Sequence, residues 1–537
     1  MIVYLSFLKL EPKAKYQVVF IASDMLASLS LIICLTFMWL LVKFLHKVWW
    51  TPTRIQRIMR TQGIKGPSYT FPHGNTKEIS QLRSETMGKP MDTISHDISS
   101  RIQPHVYTWK NIYGMNFLTW HGTQAQLFVT DPELIKQVLM NKEGAYPKMD
   151  VEGYAKKLLG EAIITNEGEK WAKVRKLANH TFHAESLKSM VPKMTASVEV
   201  MLERWKLQGG KEMDVFKEFG LLTTDVISKT AFGSSYREGK HIFEMVAKLT
   251  AVTVRNVYNV RFPGISKLRK TKDEIEAEKL EKGIKTSILE LVKKREIVNH
   301  VHEKSDSFGT DYLGQLMKIT YEADEHKRIP LDQMIDEIKA FYGAGHLTTT
   351  SLLGWCVFLL ATHKEWQEKA RQEVLETFNH KNPTSDGISR LKTMNMIINE
   401  CLRLYSPVIT LARKVQREVT LGNVRLPANI NIFIPVLSVH HDSNIWGRDA
   451  HIFKPERFAQ GVTKATNNNA AAFLPFGSGP RTCVGLNFTT NEAKIVLSMI
   501  LQRYKISLSP SYVHYPADIF ILTPKNGVVV ILEELQK

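Results

Sequence analysis

FGSGPRTCVG, residues 476–485, fixes five positions of the pattern F-x-x-G-x-R-x-C-x-G within ten. Glycines at 477, 479 and 485 permit backbone dihedrals closed to other residues and let the chain pass close to something large and flat. One cysteine, Cys483, stands among them near Arg481, just ahead of a helix expected from about Val484. A helix N-terminus and a neighbouring cation both favour thiolate over thiol. A buried free cysteine in a glycine-rich turn is the plainer reading, but five fixed positions in ten make chance a poor account of the segment. A dinucleotide-binding fingerprint does not fit. No third glycine follows Gly477 and Gly479 at the required spacing, and TNNNAAA rather than a strand precedes them.

Three upstream segments add weight. NECLRLYSP carries Glu400 and Arg403 as E-x-x-R, FKPERF at 453–458 contributes Arg457, and WAKVR at 171–175 sets Trp171 and Arg175 one helical turn apart. Each alone is ordinary; an i,i+3 ion pair is worth about 0.2–0.5 kcal/mol and is common on helix surfaces. Their value lies in their joint occurrence with the cysteine loop.

Taken together, these segments resemble the cytochromes P-450, the haem-thiolate monooxygenases. The resemblance runs from the N-terminal apolar run to the C-terminus and is nearest to plant microsomal members of the clan that oxidises terpenoids, hormones and fatty acids. It implies a mainly α fold with a small β part, helix-rich and single-domain, over residues 76–537. It also implies haem b (iron protoporphyrin IX) with Cys483 as its thiolate axial ligand, which pushes electron density onto iron and favours O–O cleavage. Phe476 and Gly485 then frame the haem. Arg481, Trp171, Arg175 and Arg413 reach its propionates, and Glu400, Arg403 and Arg457 form a structural network behind it.

One departure concerns a helix expected from Leu331 to about Thr362, which carries AGHLTTT at 344–350. The family usually has an acid followed by threonine where Leu347 and Thr348 stand. Small residues at Ala344 and Gly345 leave room for dioxygen, and Thr348 assists O–O cleavage, but Leu347 cannot relay protons. Proton delivery then runs through water and Thr348, or with help from His346, whose position points it to a different face, expected to be surface or loop. The expectation is a working monooxygenase with leaky coupling. By the same resemblance Phe341, Ala344 and Thr348, the strand residues Val408, Ile409 and Leu411, and Ile521 within 519–522 line the substrate pocket. These are mostly apolar, so the guest is a lipophilic small molecule.

Near the N-terminus, Met25–Val42 is an 18-residue run without charge, about 27 Å long as a helix and close to a bilayer core. The flank from Lys43 to Lys77 holds seven Lys/Arg and no Asp or Glu, which places it in the cytosol. A cleaved signal peptide would show a shorter apolar region and a small-residue cleavage site. The expectation is a retained single-pass anchor in the endoplasmic reticulum membrane, contacting lipid, with the catalytic domain facing the cytosol. Asp24 abuts the apolar run, so Met25 is the tidier start and residues 1–24 are read as a stub or extension. Residues 43–75 are read as a basic, proline-containing connector, non-helical over 51–75.

The 537 residues are 44% hydrophobic and carry a net charge of +18, with four cysteines and no CxxC. This excludes a disordered chain, a disulfide scaffold and a zinc ribbon. No P-loop or nucleotide fingerprint appears, so the chain does not take electrons from NADPH by itself. The resemblance implies a separate NADPH-dependent flavoprotein reductase, whose acidic surface the basic excess suits. Nucleic-acid binding has no motif behind it. His440–His441–Asp442 is read as structural, since adjacent side chains point apart. NFLTW–HGTQ–AQLFV at 116–129 reads as two strands around a turn, with a helix from Pro132; further short strands are expected near 415–435 and 519–533. Two other functions remain open. One is a haem-thiolate isomerase or dehydratase working without external dioxygen, favoured by Leu347 and opposed by Thr348. The other is a catalytically silent haem protein.

Overall fold

The computed structural model describes residues 12–208, 211–234, 236–260, 270–301 and 308–536. An apolar helix, Pro12–Leu45, is exposed along its charge-free stretch and passes through a π turn, His46–Trp50, into a second helix, Thr51–Thr61. The helix therefore extends beyond the apolar run 25–42 on both sides. The connector also needs correcting, because the stretch 51–75, read as non-helical, opens with the eleven-residue helix Thr51–Thr61. Pro52 does not prevent this, because it directly follows a π turn in which Thr51 N–H donates to His46 O, five residues back, and that widened turn accommodates a residue without an N–H. Arg54, Arg57 and Arg60 stay outside while Met59 is fully buried beside Ile64, Leu118 and Trp120.

The strand signals resolve into several small sheets, of which the four-stranded one is mixed. Asn116–His121 pairs antiparallel with Gln124–Val129, which runs parallel to Asn431–Ile434, itself antiparallel to Leu411–Lys414. Phe117 lies opposite Phe128, with rings stacked 5.1 Å apart, so the first hairpin is set by a cross-strand aromatic pair. The helix expected from Pro132 is present as Pro132–Leu139, capped by the Asp131 side chain. Pairing Arg413 with Ile432 carries that arginine into the interior, 5% exposed. A three-stranded sheet joins Glu212–Asp214, Val529–Glu534 and Tyr504–Leu508. A tight hairpin, Pro516–Ile519 with Ile521–Pro524, turns at Phe520, which takes φ +71°.

Everything else is mainly helical, as expected. The helix Leu331–Thr362 traverses the core, and Leu352–Leu360 are at most 1% exposed. It packs on Val215–Ala231, Lys392–Leu404 and Leu486–Leu501. A Cβ at Gly345 would lie 2.9 Å from Ile227 Cδ1, so only glycine allows this close helix approach. Being apolar all round through its C-terminal half, the helix is a buried core element rather than a membrane span.

Candidate active site

The cysteine loop is shaped by its own backbone. Gly477 and Gly479 adopt φ of +69° and +75°, and a Cβ on Gly479 would strike Leu139 O at 2.3 Å. Cys483 N–H donates to Phe476 O at 2.9 Å, and a short 3-10 turn, Gly479–Arg481, ends with Thr482 N–H on Gly479 O at 3.0 Å. The following helix begins at Leu486, slightly later than expected, with Gly485 as its cap. A Cβ on Gly485 would stand 3.8 Å from the Cys483 sulfur, so glycine keeps that flank open.

Cys483 faces a cavity of about 330 Å³. Its thiol is open to this chamber yet lies deep beneath the outer surface, and burial pushes its pKa up. The Gly485 N–H and the Arg175 guanidinium oppose that rise. Arg175, not Arg481, is thus the cation acting on the sulfur, and burial outweighs the thiolate-favouring influences expected from the loop alone. Arg175 Nη1 donates to Thr482 O at 2.6 Å. Arg481 turns the other way: it pairs with Glu167, donates to Asn166 O at 2.7 Å, and lies over the Trp171 ring.

Trp171, Arg175, Arg413, Phe476, Arg481, Cys483 and Gly485 all meet at the cavity wall. A fourth cation there, Lys148, has no motif around it. Burial, with Arg413 and Arg481 close by, brings its pKa down to about 7 against the pull of Glu167. Arg413 is likewise lowered to about 10, chiefly by burial. The wall carries Lys148, Arg175, Arg413 and Arg481 and no Asp or Glu.

Phe341, Ala344, Thr348, Val408 and Leu411 also face the cavity, joined by Ile163, Phe182 and Leu352. Ile409 and Ile521 do not line it. Ile409 is buried, and its carbonyl accepts from Leu437 N–H and Gln103 Nε2. Ile521 is 5% exposed in the hairpin, whose next residue, Leu522, binds the core helix through Ser351 and Trp355. The hairpin packs against the scaffold in place of closing the chamber.

Thr348 donates from Oγ1 to Ala344 O at 2.6 Å. Leu347 is not part of the cavity wall. His346 was expected at a surface or loop; instead it is wedged against Val215–Ala231, its Nδ1 3.0 Å from Thr223 Oγ1 and its ring edge-on to Phe243. Burial lowers its pKa to about 4.

Behind the cysteine loop, Arg403 meets both oxygens of Glu400, at 2.7 and 2.8 Å, and neither residue is exposed at all. Arg403 Nη1 also donates to His440 O and Ala450 O at 2.9 and 2.7 Å. Arg457 approaches Glu400 at 3.4 Å, an ion-pair contact, and is held by Asp449 at 2.7 Å and Trp446 O at 2.8 Å. His440 accepts from Leu474 N–H at 2.8 Å, and Asp442 caps Ser443–Trp446 while pairing with Lys110. Those two are structural.

The haem expected from the sequence fits this lining on two counts. A thiol stands at the wall with a glycine flank, and four cations line that wall against a single nearby carboxylate, Glu167, which is outside the lining and pairs with Arg481, leaving positive charge for two propionates. The sequence model of the family described as Cytochrome P450 matches residues 94–531. Cytochrome P450 CYP749A22 of Panax ginseng is 57% identical over 503 residues, 94% of this chain and 96% of that one. The 11-oxo-beta-amyrin 30-oxidase of Glycyrrhiza uralensis is 40% identical, covering 91% and 94%. Secologanin synthase 1 of Catharanthus roseus is 38% identical, covering 92% and 95%.

Proposed function

This chain belongs to the cytochrome P450 family and is a monooxygenase, and from that premise we propose that it inserts one oxygen atom into a C–H bond of a lipophilic small molecule. Haem b, bound through the Cys483 thiolate, supplies the oxygen-activating iron. Cys483 must ionise to bind it, and the Gly485 N–H and Arg175 hold the negative charge on sulfur against burial. Lys148, Arg175, Arg413 and Arg481, with Trp171, hold the propionates. Arg481 exchanges its present partner, Glu167, for one of them.

Ala344 and Gly345 leave space beside the wall, and the Thr348 hydroxyl is the proton-bearing group there. With Leu347 in place of an acid, protons reach Thr348 through water, and His346 takes no part because it faces another helix. Phe341, Val408 and Leu411 exclude water and orient the guest by shape. Relatives named for β-amyrin and for secologanin support a terpenoid-type substrate, with a hormone or a fatty acid as the alternatives. Electrons come from NADPH through a separate membrane-bound flavoprotein reductase. The N-terminal helix and its basic flank support a single-pass anchor in the endoplasmic reticulum with the enzyme in the cytosol.

The carrying observation is Cys483, four cations and Thr348 on the wall of one cavity. The test is reconstitution with a reductase in vesicles, counting dioxygen, NADPH and oxidised product from a terpenoid panel. Product that forms only with NADPH and dioxygen supports the reading. Turnover of a hydroperoxide with neither would establish the isomerase or dehydratase reading that Leu347 leaves open.

A further inference from the structure

Outside the cavity, Asp97, His441 and His451 bring one ligand atom each to within 4.8 Å of one another. They come from three separate places: a loop before Ser99–Ile102, the end of the short helix Val436–His440, and the loop ahead of FKPERF. Asp97 Oδ1 and His451 Nδ1 are already 3.6 Å apart. Two ligands bound tetrahedrally at 2.0–2.1 Å stand about 3.3 Å apart, so small rotations of the two more exposed side chains close the set.

His441 carries the argument. It is 5% exposed, and its Nε2 is 2.9 Å from Leu404 O. A carbonyl only accepts, so Nε2 bears the proton and Nδ1 presents a lone pair. That buried Nδ1 has no hydrogen-bond partner, and the His441 ring stands edge-on to that of His451, centroids 5.4 Å apart. A ring whose second nitrogen donates to a backbone carbonyl is the usual state of a metal-bound histidine.

The scaffold is fixed as well. Arg403 binds the carbonyls of His440 and Ala450, the residues immediately before His441 and His451. Leu404, which accepts from His441, is its own chain neighbour. The buried Glu400–Arg403 pair therefore sets the spacing of both imidazoles.

We propose that Asp97, His441 and His451 form a Zn²⁺ site that clamps the 88–98 segment to the loop beneath the active site, with solvent as the fourth ligand.

The test uses full-length, haem-loaded protein in vesicles, stripped with chelator and titrated with Zn²⁺ against a chromophoric competitor. One saturable equivalent is expected, weakened about tenfold or more by His451→Ala and by Asp97→Ala. His241→Ala, on an exposed residue outside the site, leaves it unchanged, and His451→Cys restores affinity. Zinc raises Tm in the wild type and not in His451→Ala, whose zinc-free Tm matches the wild type. The absence of a saturable site, or binding indifferent to both alanine variants, overturns the proposal. The haem spectrum stays intact in either case, which separates this failure from failure of the monooxygenase reading.

Discussion

The guanidinium of Arg481 lies over the ring of Trp171, 4.1 Å from its centroid, and donates to Asn166 O from its edge. One arginine thus uses its flat face and its fork at once, which a lysine cannot do. Arg481→Lys keeps the charge and is expected to weaken haem retention about tenfold, with Arg481→Ala at least as damaging. The fraction of chain purified with haem, and haem loss to an apo-globin acceptor, measure this.

Lys148→Ala removes the cation that the sequence did not mark. Loss of one charge-assisted bond is worth about 1.5–3 kcal/mol, so haem should dissociate at least tenfold faster while the chain stays folded. Retention equal to the wild type would remove Lys148 from the propionate set.

Breaking the Glu400–Arg403 pair leaves a charge stranded at 0% exposure. Glu400→Ala is expected to cost about 3–5 kcal/mol, seen as a lowered Tm and conversion of the carbon monoxide-bound Soret band to its inactive form. Arg457→Ala should cost less, because Arg457 is partly exposed and also paired with Asp449.

Thr348→Ala should keep haem and substrate binding but raise the NADPH consumed per product several-fold. Leu347→Glu should lower it. Simultaneous counts of NADPH, dioxygen and product decide. Tight coupling in the wild type, unimproved by Leu347→Glu, would show that the missing acid has no consequence.

His346 titrates near 4 in the folded protein, against an ordinary value of 6.5. Between these values the unfolded chain binds the extra proton, so stability falls as pH drops from about 6.5 to about 4. The slope from this one group approaches 1.4 kcal/mol per pH unit. His346→Gln should lessen the pH dependence of denaturation midpoints over that window, the remainder coming from other buried histidines such as His96 and His514.

How much was legible follows from the kind of signal each feature carries. Cys483, Glu400, Arg403 and Arg457 sit in short motifs whose residues act together, and the structure brings them to one region. The helix Leu331–Thr362 was readable because an apolar run that long has few alternatives. Lys148 was not, since a lone lysine gains meaning only from Arg413 and Arg481 across the chamber. Ile409 and Ile521 were placed at the pocket by resemblance, but Ile409 is tied to Leu437 and Gln103, and the hairpin pairing of Ile521 with Ile519 turns it into the scaffold. Thr51–Thr61 was misjudged because its Pro52 sits where a helix tolerates it.

The way the N-terminal helices meet the catalytic body has a practical outcome. Tyr69 donates from its hydroxyl to Val48 O and from its backbone N–H to Gln56 Oε1, and Met59 fills the space beside Trp120. The mast is bolted to the hull rather than roped to it. A soluble version trimmed at the Pro/Gly-rich stretch near Gly63 would uncover Trp120, whereas a cut before Val48 would keep those fastenings and remove only the lipid-seeking part.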